Sequence, residues 1–316
     1  MKKQLKFYSH GKLLLSGEYA VLKGALALAL PTRQGQWLFI EEGPVNGELH
    51  WSASDISGRW FSSVFSLPFL EILMTSDIIR ASRLQVLLNA AKKLNPNFLS
   101  VAKGYKIDSY LEFHHEWGLG SSSSLIANVA LLSDNDPFKL FRMVSSGSGY
   151  DLACAIEGKP ILYRLLNNQP VVRLVQFSPA FHNHLHFVFL GPKQNTDISL
   201  EQLNKQIGSL DSECDKISTL TNRIHKAESL KEFCICMKEH EQMLGEKLDL
   251  VPVKELLFPD FNGQIKSLGS WGGNFVLVAS SDTSEQVRNY FLNKGLTTVF
   301  SFDELILNTS DEYSTR

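Results

Sequence analysis

Four short stretches of this 316-residue chain combine glycine, hydroxyl and charged side chains at spacings that suit phosphate chemistry. The first runs Gly118-Leu119-Gly120-Ser121-Ser122-Ser123-Ser124 and is followed by Leu125, Val129 and Leu132 at helical spacing. Glycines let the backbone approach a ligand, and the first amides of a helix point at whatever lies before it. Phosphate suits such a place, and a serine hydroxyl can add a donor or ligate the magnesium ion that accompanies a nucleotide. The stretch lacks the Gly-Lys-Ser/Thr ending of a P-loop and has Ser123 where a dinucleotide fingerprint needs its third glycine. Taken by itself, a plain capping turn explains it equally well.

The second is Asp151, just past Ser148, Gly149 and Tyr150. A carboxylate there could accept or orient a hydroxyl proton during phosphoryl transfer, or simply cap the next helix. The third is Lys12, set between Gly11 and the apolar Leu13-Leu14-Leu15. It would neutralise Asp151 or a transferring phosphate, or else snorkel to solvent from a strand end. The fourth, Gly269-Ser270-Trp271-Gly272-Gly273, is a second glycine-rich bend that could line the same cleft or be only a turn.

These pieces need elements to hold them. Residues 5–15 and 25–30 read as strands, the second stopped by Pro31, with a turn at Gly17. Residues 51–69 read as aromatic-rich and irregular. The spacing of Ile78, Ala81, Leu84, Leu87, Leu88 and Ala91 predicts a helix over 77–94, ended by Asn95-Pro96. A strand over 105–113, the helix opened by the serine loop, a helix over 137–144 and a short helical segment after Asp151 follow. Residues 160–166 and 170–175 read as two strands joined by Asn167-Asn168-Gln169. A boundary falls near Ser178-Pro179, giving domains 1–178 and 179–316, the second an α/β sandwich. His182, His184 and His186 alternate as on one strand face, which would suit a metal, although a solvated or interface face is the simpler account.

Composition narrows the partners. Thirty-one basic and 33 acidic residues leave a net charge of −2, without the positive field that nucleic-acid binding needs. No apolar run approaches the roughly 20 residues that cross a bilayer, and no signal-peptide pattern stands at the start. Nucleic acid and membrane are therefore not expected, and a cytoplasmic protein is. Four cysteines without disulfide or zinc spacing read as reduced thiols.

In this order, the four pieces resemble the three signature motifs of the GHMP kinases, the group that includes galactokinase, homoserine kinase, mevalonate kinase and phosphomevalonate kinase. Residues 10–22 are similar to the first motif in its mevalonate-pathway form, and 117–123 to the second, the ATP phosphate loop. Residues 148–153 resemble the stretch that carries the catalytic aspartate, and 266–275 occupy the place of the third motif. The resemblance implies an α+β, two-lobed fold: an N-terminal lobe like domain 2 of ribosomal protein S5 and a C-terminal ferredoxin-like lobe. It also implies ATP and Mg²⁺ as cofactors. Asp151 would be the base or orienting group, Lys12 its electrostatic partner and Ser122 a magnesium ligand. Gly118, Leu119, Gly120, Ser121, Ser122 and Ser123 would bind ATP, and Glu18, Ser148, Gly149, Gly269, Ser270 and Gly272 the acceptor.

The acceptor implied is a small anionic metabolite, with phosphomevalonate ahead of mevalonate. Oligomeric state stays open, a homodimer included. Sugar or amino-alcohol kinases, a silent nucleotide-binding regulator and a diphosphomevalonate-type decarboxylase are the rivals. Two departures bear on the choice: Leu140 stands where mevalonate and homoserine kinases usually carry a magnesium-binding glutamate, and Ser270, Trp271 and Asn274 replace small residues of the third motif.

Overall fold

A computed structural model of the chain describes residues 4–100, 103–191, 208–269 and 274–307. The chain divides into two compact units, neither continuous in sequence. The described residues among 1–11, 34–115 and 119–156 form one, and those among 12–33, 116–118 and 157–316 form the other. Among the described residues, no helix is long and apolar enough to cross a membrane.

The first strand, β1 (Leu5–Ser16), gives its early residues to the first unit, and β2 (Ala27–Glu42) gives its later ones. With β3 (Glu48–Asp55), β4 (Gly58–Ser66), β5 (Ile72–Thr75) and β6 (Tyr105–Leu111), the first unit builds a sheet in the order β5-β4-β3-β6-β2. Strands β3 and β6 alternate: Leu49, Trp51 and Ala53 of β3 and Ile107, Ser109 and Leu111 of β6 turn inward. All neighbours are antiparallel except β3 and β6, which run parallel with Leu49 opposite Tyr105 and Ser54 opposite Tyr110. Helices α1 (Ile78–Leu94), α2 (Ser121–Leu132), α3 (Pro137–Val144) and α4 (Tyr150–Glu157) complete the unit. Asp77 caps α1 by accepting from the Arg80 amide at 3.0 Å, and Ala81, Leu84, Leu87, Leu88 and Ala91 are buried as the spacing predicts, whereas Ile78 in the first turn is exposed.

The second unit contains β7 (Ile161–Leu166), β8 (Gln169–Leu174), β9 (Leu185–Phe189), β10 (Gln264–Ser267), β11 (Phe275–Ala279) and β12 (Val299–Ser301). Asn167 and Asn168, at φ 51° and 59°, make the tight turn between β7 and β8. The four-stranded antiparallel sheet runs β10-β11-β9-β12. Counted from β9, that order is the ferredoxin-like one, with helices between the first and second strands and between the third and fourth. Helices α5 (Cys214–Lys226) and α6 (Leu230–Leu248) lie between the first and second of these strands, and the helix Ser284–Asn293 lies between the third and fourth. All four cysteines are free thiols.

Three local expectations give way. Pro31 does not stop β2, which continues to Glu42. The strand pairs with β7 through Ala27, Leu28 and Ala29 and with β6 from Gln36 onward, so the missing proline N–H falls between those two ladders. Most of residues 51–69 are regular, because Ser52, Ser54, Ser62 and Ser66 take outward positions of β3 and β4 while Trp51, Phe61 and Phe65 bury inward. The three alternating histidines do not share a strand face. His182 and His184 lie in a 3₁₀ turn, and only His186 enters β9, buried against the Ser284 hydroxyl at 2.8 Å.

Candidate functional site

Helix α2 begins at the glycine-serine loop, as the sequence predicts. Gly120 is its N-cap at φ 93°, a conformation open to glycine, and no capping side chain occupies the first amides. Leu119 is fully buried and anchors the loop, whereas Ser122 is exposed at the helix start. An inner polar ladder fixes the helix against the sheet. Ser124 donates to Gln36 Oε1 at 2.7 Å, and Gln36 Nε2 donates to Ser109 at 2.7 Å. Asn128 donates to the Gln36 carbonyl at 2.9 Å and accepts from Ser9 at 2.9 Å. Buried polar groups so fully paired hold one geometry. The sequence reading missed Gln36 and Asn128; the signal was a polar residue at an inward position of each element.

Asp151 stands in the first turn of α4, after Gly149 at φ 86°. Its Oδ2 accepts from the Ser123 hydroxyl at 2.5 Å, and its Oδ1 accepts from the Leu152 amide at 2.9 Å. The carboxylate is thus held against the first turn of α2 and stays half-buried. Two segments 28 residues apart that the sequence marks separately meet here. Ser148 is half-buried beside them in sequence.

In the second unit, Trp117 sits among Phe189, Phe275 and Phe300, with ring centroids 6.2, 6.2 and 5.3 Å away. Gly118, at φ 71°, packs so closely on Asn274 that a Cβ there would lie 2.6 Å from its Oδ1. Asn274 also donates to the Glu116 carbonyl at 2.5 Å. Asn274, one of the three residues that depart from the small-residue pattern, thus touches the start of the glycine-serine loop. Gly269 is described at φ 74°; Ser270, Trp271, Gly272 and Gly273 lie outside the described residues.

Lys12 is half-buried in β1 between buried Gly11 and Leu13. Gly17, at φ 94°, follows the strand, and a Cβ there would meet the Ala27 Cα at 2.7 Å. Glu18 is sealed inside, at 3% exposure, in an ion pair with Lys266, itself 1% exposed. Lys266 also donates to the Ser267 carbonyl at 2.9 Å. The Gly17 amide donates to His240 Nε2 at 3.1 Å, and Glu241 Oε1 accepts from the Ser267 amide at 3.0 Å. Burial pushes the Glu18 carboxyl up, against the pull of Lys266. It raises Glu241 to about 7 and holds the His240 imidazole well below 6.5. Ser16 and Thr221 hydroxyls meet at 2.8 Å alongside. Nothing in the sequence reading flagged Lys266, His240 or Glu241 as Glu18's surroundings.

A nucleotide and magnesium fit parts of this set. The glycine N-cap brings no capping side chain to the first amides of α2, which suits phosphate oxygens, and exposed Ser122 carries a hydroxyl suited to the ion. Leu140 is fully buried in the core of the first unit, so position 140 supplies no metal ligand.

No protein-family model matches the chain, and no curated protein matches its sequence. Solved structures do share its fold. The mevalonate kinase of Methanococcus jannaschii aligns with a TM-score of 0.69 at 16% identity, over 94% of this chain and 97% of that one. The L. major mevalonate kinase in complex with R-mevalonate gives 0.68 at 16% identity, over 98% and 99%. Streptococcus pneumoniae phosphomevalonate kinase, in complex with phosphomevalonate and AMPPNP, gives 0.67 at 16% identity, over 93% and 99%. The chain therefore has the α+β fold expected from its motifs, the fold of GHMP kinases.

Proposed function

We propose that the protein is an ATP-dependent small-molecule kinase that moves the terminal phosphoryl group to an oxygen of a small anionic metabolite. Phosphomevalonate is the first candidate and mevalonate the second. The observation that carries the reading is the 2.5 Å hydrogen bond from Ser123, in the first turn of α2, to Asp151 at the start of α4. It joins the element suited to phosphate to a carboxylate suited to an acceptor hydroxyl. When bound, MgATP supplies the activated phosphoryl group and the charge neutralisation at its oxygens.

The chain's own residues do the rest. The amides at Gly120, Ser121 and Ser122 bind phosphate oxygens, and the Ser122 hydroxyl holds the cation. Asp151 accepts or orients the acceptor proton at Oδ1 or Oδ2, while Ser123 fixes the carboxylate. Lys12 balances the charge of the aspartate or of the transferring group. Ser148, Gly149, Gly269, Ser270 and Gly272 are assigned to the acceptor side, with residues 1–178 as the nucleotide-binding domain and 179–316 as its partner domain. Buried Leu140 favours phosphomevalonate, because kinases of that branch also tend to lack a glutamate there.

The test is a panel of mevalonate, phosphomevalonate, galactose and homoserine with MgATP, read as ADP release and product mass. A phosphorylated mevalonate-pathway product is expected. ADP formation no faster than with ATP alone for every acceptor, despite MgATP binding, would favour a silent regulator, and carbon dioxide release from a diphosphorylated mevalonate would favour a decarboxylase.

A further inference from the structure

Strands β3 and β6 run side by side in the same direction, so both end at one edge of the sheet. Asp55 is the last residue of β3, and His114 and His115 follow β6 by a few residues. Topology alone therefore places a carboxylate beside two adjacent imidazoles that the sequence separates by about sixty positions.

We propose that Asp55, His114 and His115 form a binding site for one zinc-class divalent transition-metal ion. One ligand atom from each lies within 4.8 Å of the other two. Asp55 Oδ2 and His115 Nδ1 are 2.8 Å apart. They are joined by a hydrogen bond; an ion with bonds of about 2.0–2.2 Å sets tetrahedral ligand atoms roughly 3.4 Å apart, so the pair needs to open by only about half an ångström, with loss of the shared proton, to hold one. The carboxylate is aimed and rigid: its side chain is 1% exposed, with Oδ1 held by the Ser57 amide at 2.8 Å and Oδ2 by the His115 amide at 2.9 Å. Such outer hydrogen bonds are what orient a metal-binding carboxylate.

The rings are placed as well. His115 stacks on Trp60 with centroids 4.7 Å apart and planes at 12°, and His114 stacks on His115 at 4.7 Å. Both imidazoles are half-buried, which leaves an approach from solvent. Two imidazoles and a carboxylate suit zinc, cobalt, nickel or copper rather than magnesium or calcium, and three protein ligands leave a fourth position for water. A bound ion would staple the end of β3 to the segment that leads into the phosphate loop. None of this depends on the kinase reading.

The experiment titrates chelator-stripped full-length protein with Zn²⁺ alone, by calorimetry and by thermal melting. Wild-type protein should take up one equivalent and melt at a higher temperature with the ion. His114→Ala should weaken uptake on the order of 100-fold and cancel the thermal shift. His114→Ala/His115→Ala should bind no equivalent, with far-UV circular dichroism confirming its fold. No saturable uptake by wild-type protein overturns the site, and so does equal uptake by the double variant, which would place the ion on the cysteines or elsewhere.

Discussion

Two carboxylates, one in each unit, show how the same chemical group is put to opposite uses. Asp151 is half-buried, and its side-chain partner is a neutral hydroxyl, Ser123, at 2.5 Å. Glu18 is sealed at 3% exposure against a lysine that is itself buried. A carboxylate held by a hydroxyl keeps lone pairs and charge for an incoming group. One locked to a buried ammonium has spent both on its neighbour, and removing either partner leaves an uncompensated charge in the interior. Asp151 thus has the setting of a reactive group. Glu18, although its motif places it on the acceptor side, has the setting of a positioning group that fixes the turn after β1.

The sharpest way to break this contrast is to neutralise each member. Asp151→Asn should lower kcat by about 10²–10⁴-fold with an unchanged melting temperature, in whichever acceptor assay is positive. A variant that keeps full turnover removes Asp151 from the chemistry. Lys266→Met should do the reverse, costing about 3–5 kcal/mol of stability in urea unfolding, because Glu18 is left buried without its counter-ion. Adding Glu18→Gln should restore much of that loss. Loss of less than about 1 kcal/mol for Lys266→Met would mean that the pair is open to water and that the contrast with Asp151 fails.

The contrast also tracks what the sequence makes legible. The loop and α2 could be read locally, because glycine conformations, serine hydroxyls and the helical period all lie within one segment. The α1 stripe and the Asn167-Asn168 turn are local in the same way. The Glu18–Lys266 pair spans 248 residues, and no local pattern could join them. A partial signal was available in α6, where Phe233, Met237, His240, Glu241, Leu244 and Leu248 share the buried face. Two ionisable groups on an apolar stripe must find polar partners inside. The Asp55–His115 contact needed the parallel pairing of β3 with β6, which hydrophobic alternation does not specify. Read-through of Pro31 was equally a matter of which ladder calls on which N–H.

Smaller perturbations sharpen each side. Ser123→Ala removes the hydroxyl from Asp151 and leaves a methyl in a buried position. A hydrogen bond to a charged group contributes about 1.5–3 kcal/mol, so kcat should fall at least tenfold while Ser123→Thr retains more activity. Equal turnover of Ser123→Ala and wild type would show that the bond does not position the carboxylate.

The smallest effect is a slope. Glu241 is held at about 7, against an ordinary 4.5, chiefly by burial. Between those values the folded chain keeps a proton that the unfolded chain has released, so this group's contribution is full below 4.5 and is lost as pH rises through about 7. The stability of wild type relative to Glu241→Gln should therefore decline across that window by up to about 1.4 kcal/mol per pH unit. His240 acts in the other direction. Burial keeps its imidazole neutral well below 6.5, so acidification below that point protonates only the unfolded chain and costs stability. His240→Gln should then gain on wild type as pH falls, while Glu241→Gln loses. Urea midpoints measured from pH 4.5 to 7.5 separate the two, and parallel profiles for wild type and both variants would mean that water reaches the Glu18–Lys266 cluster and that it is no more sealed than Asp151.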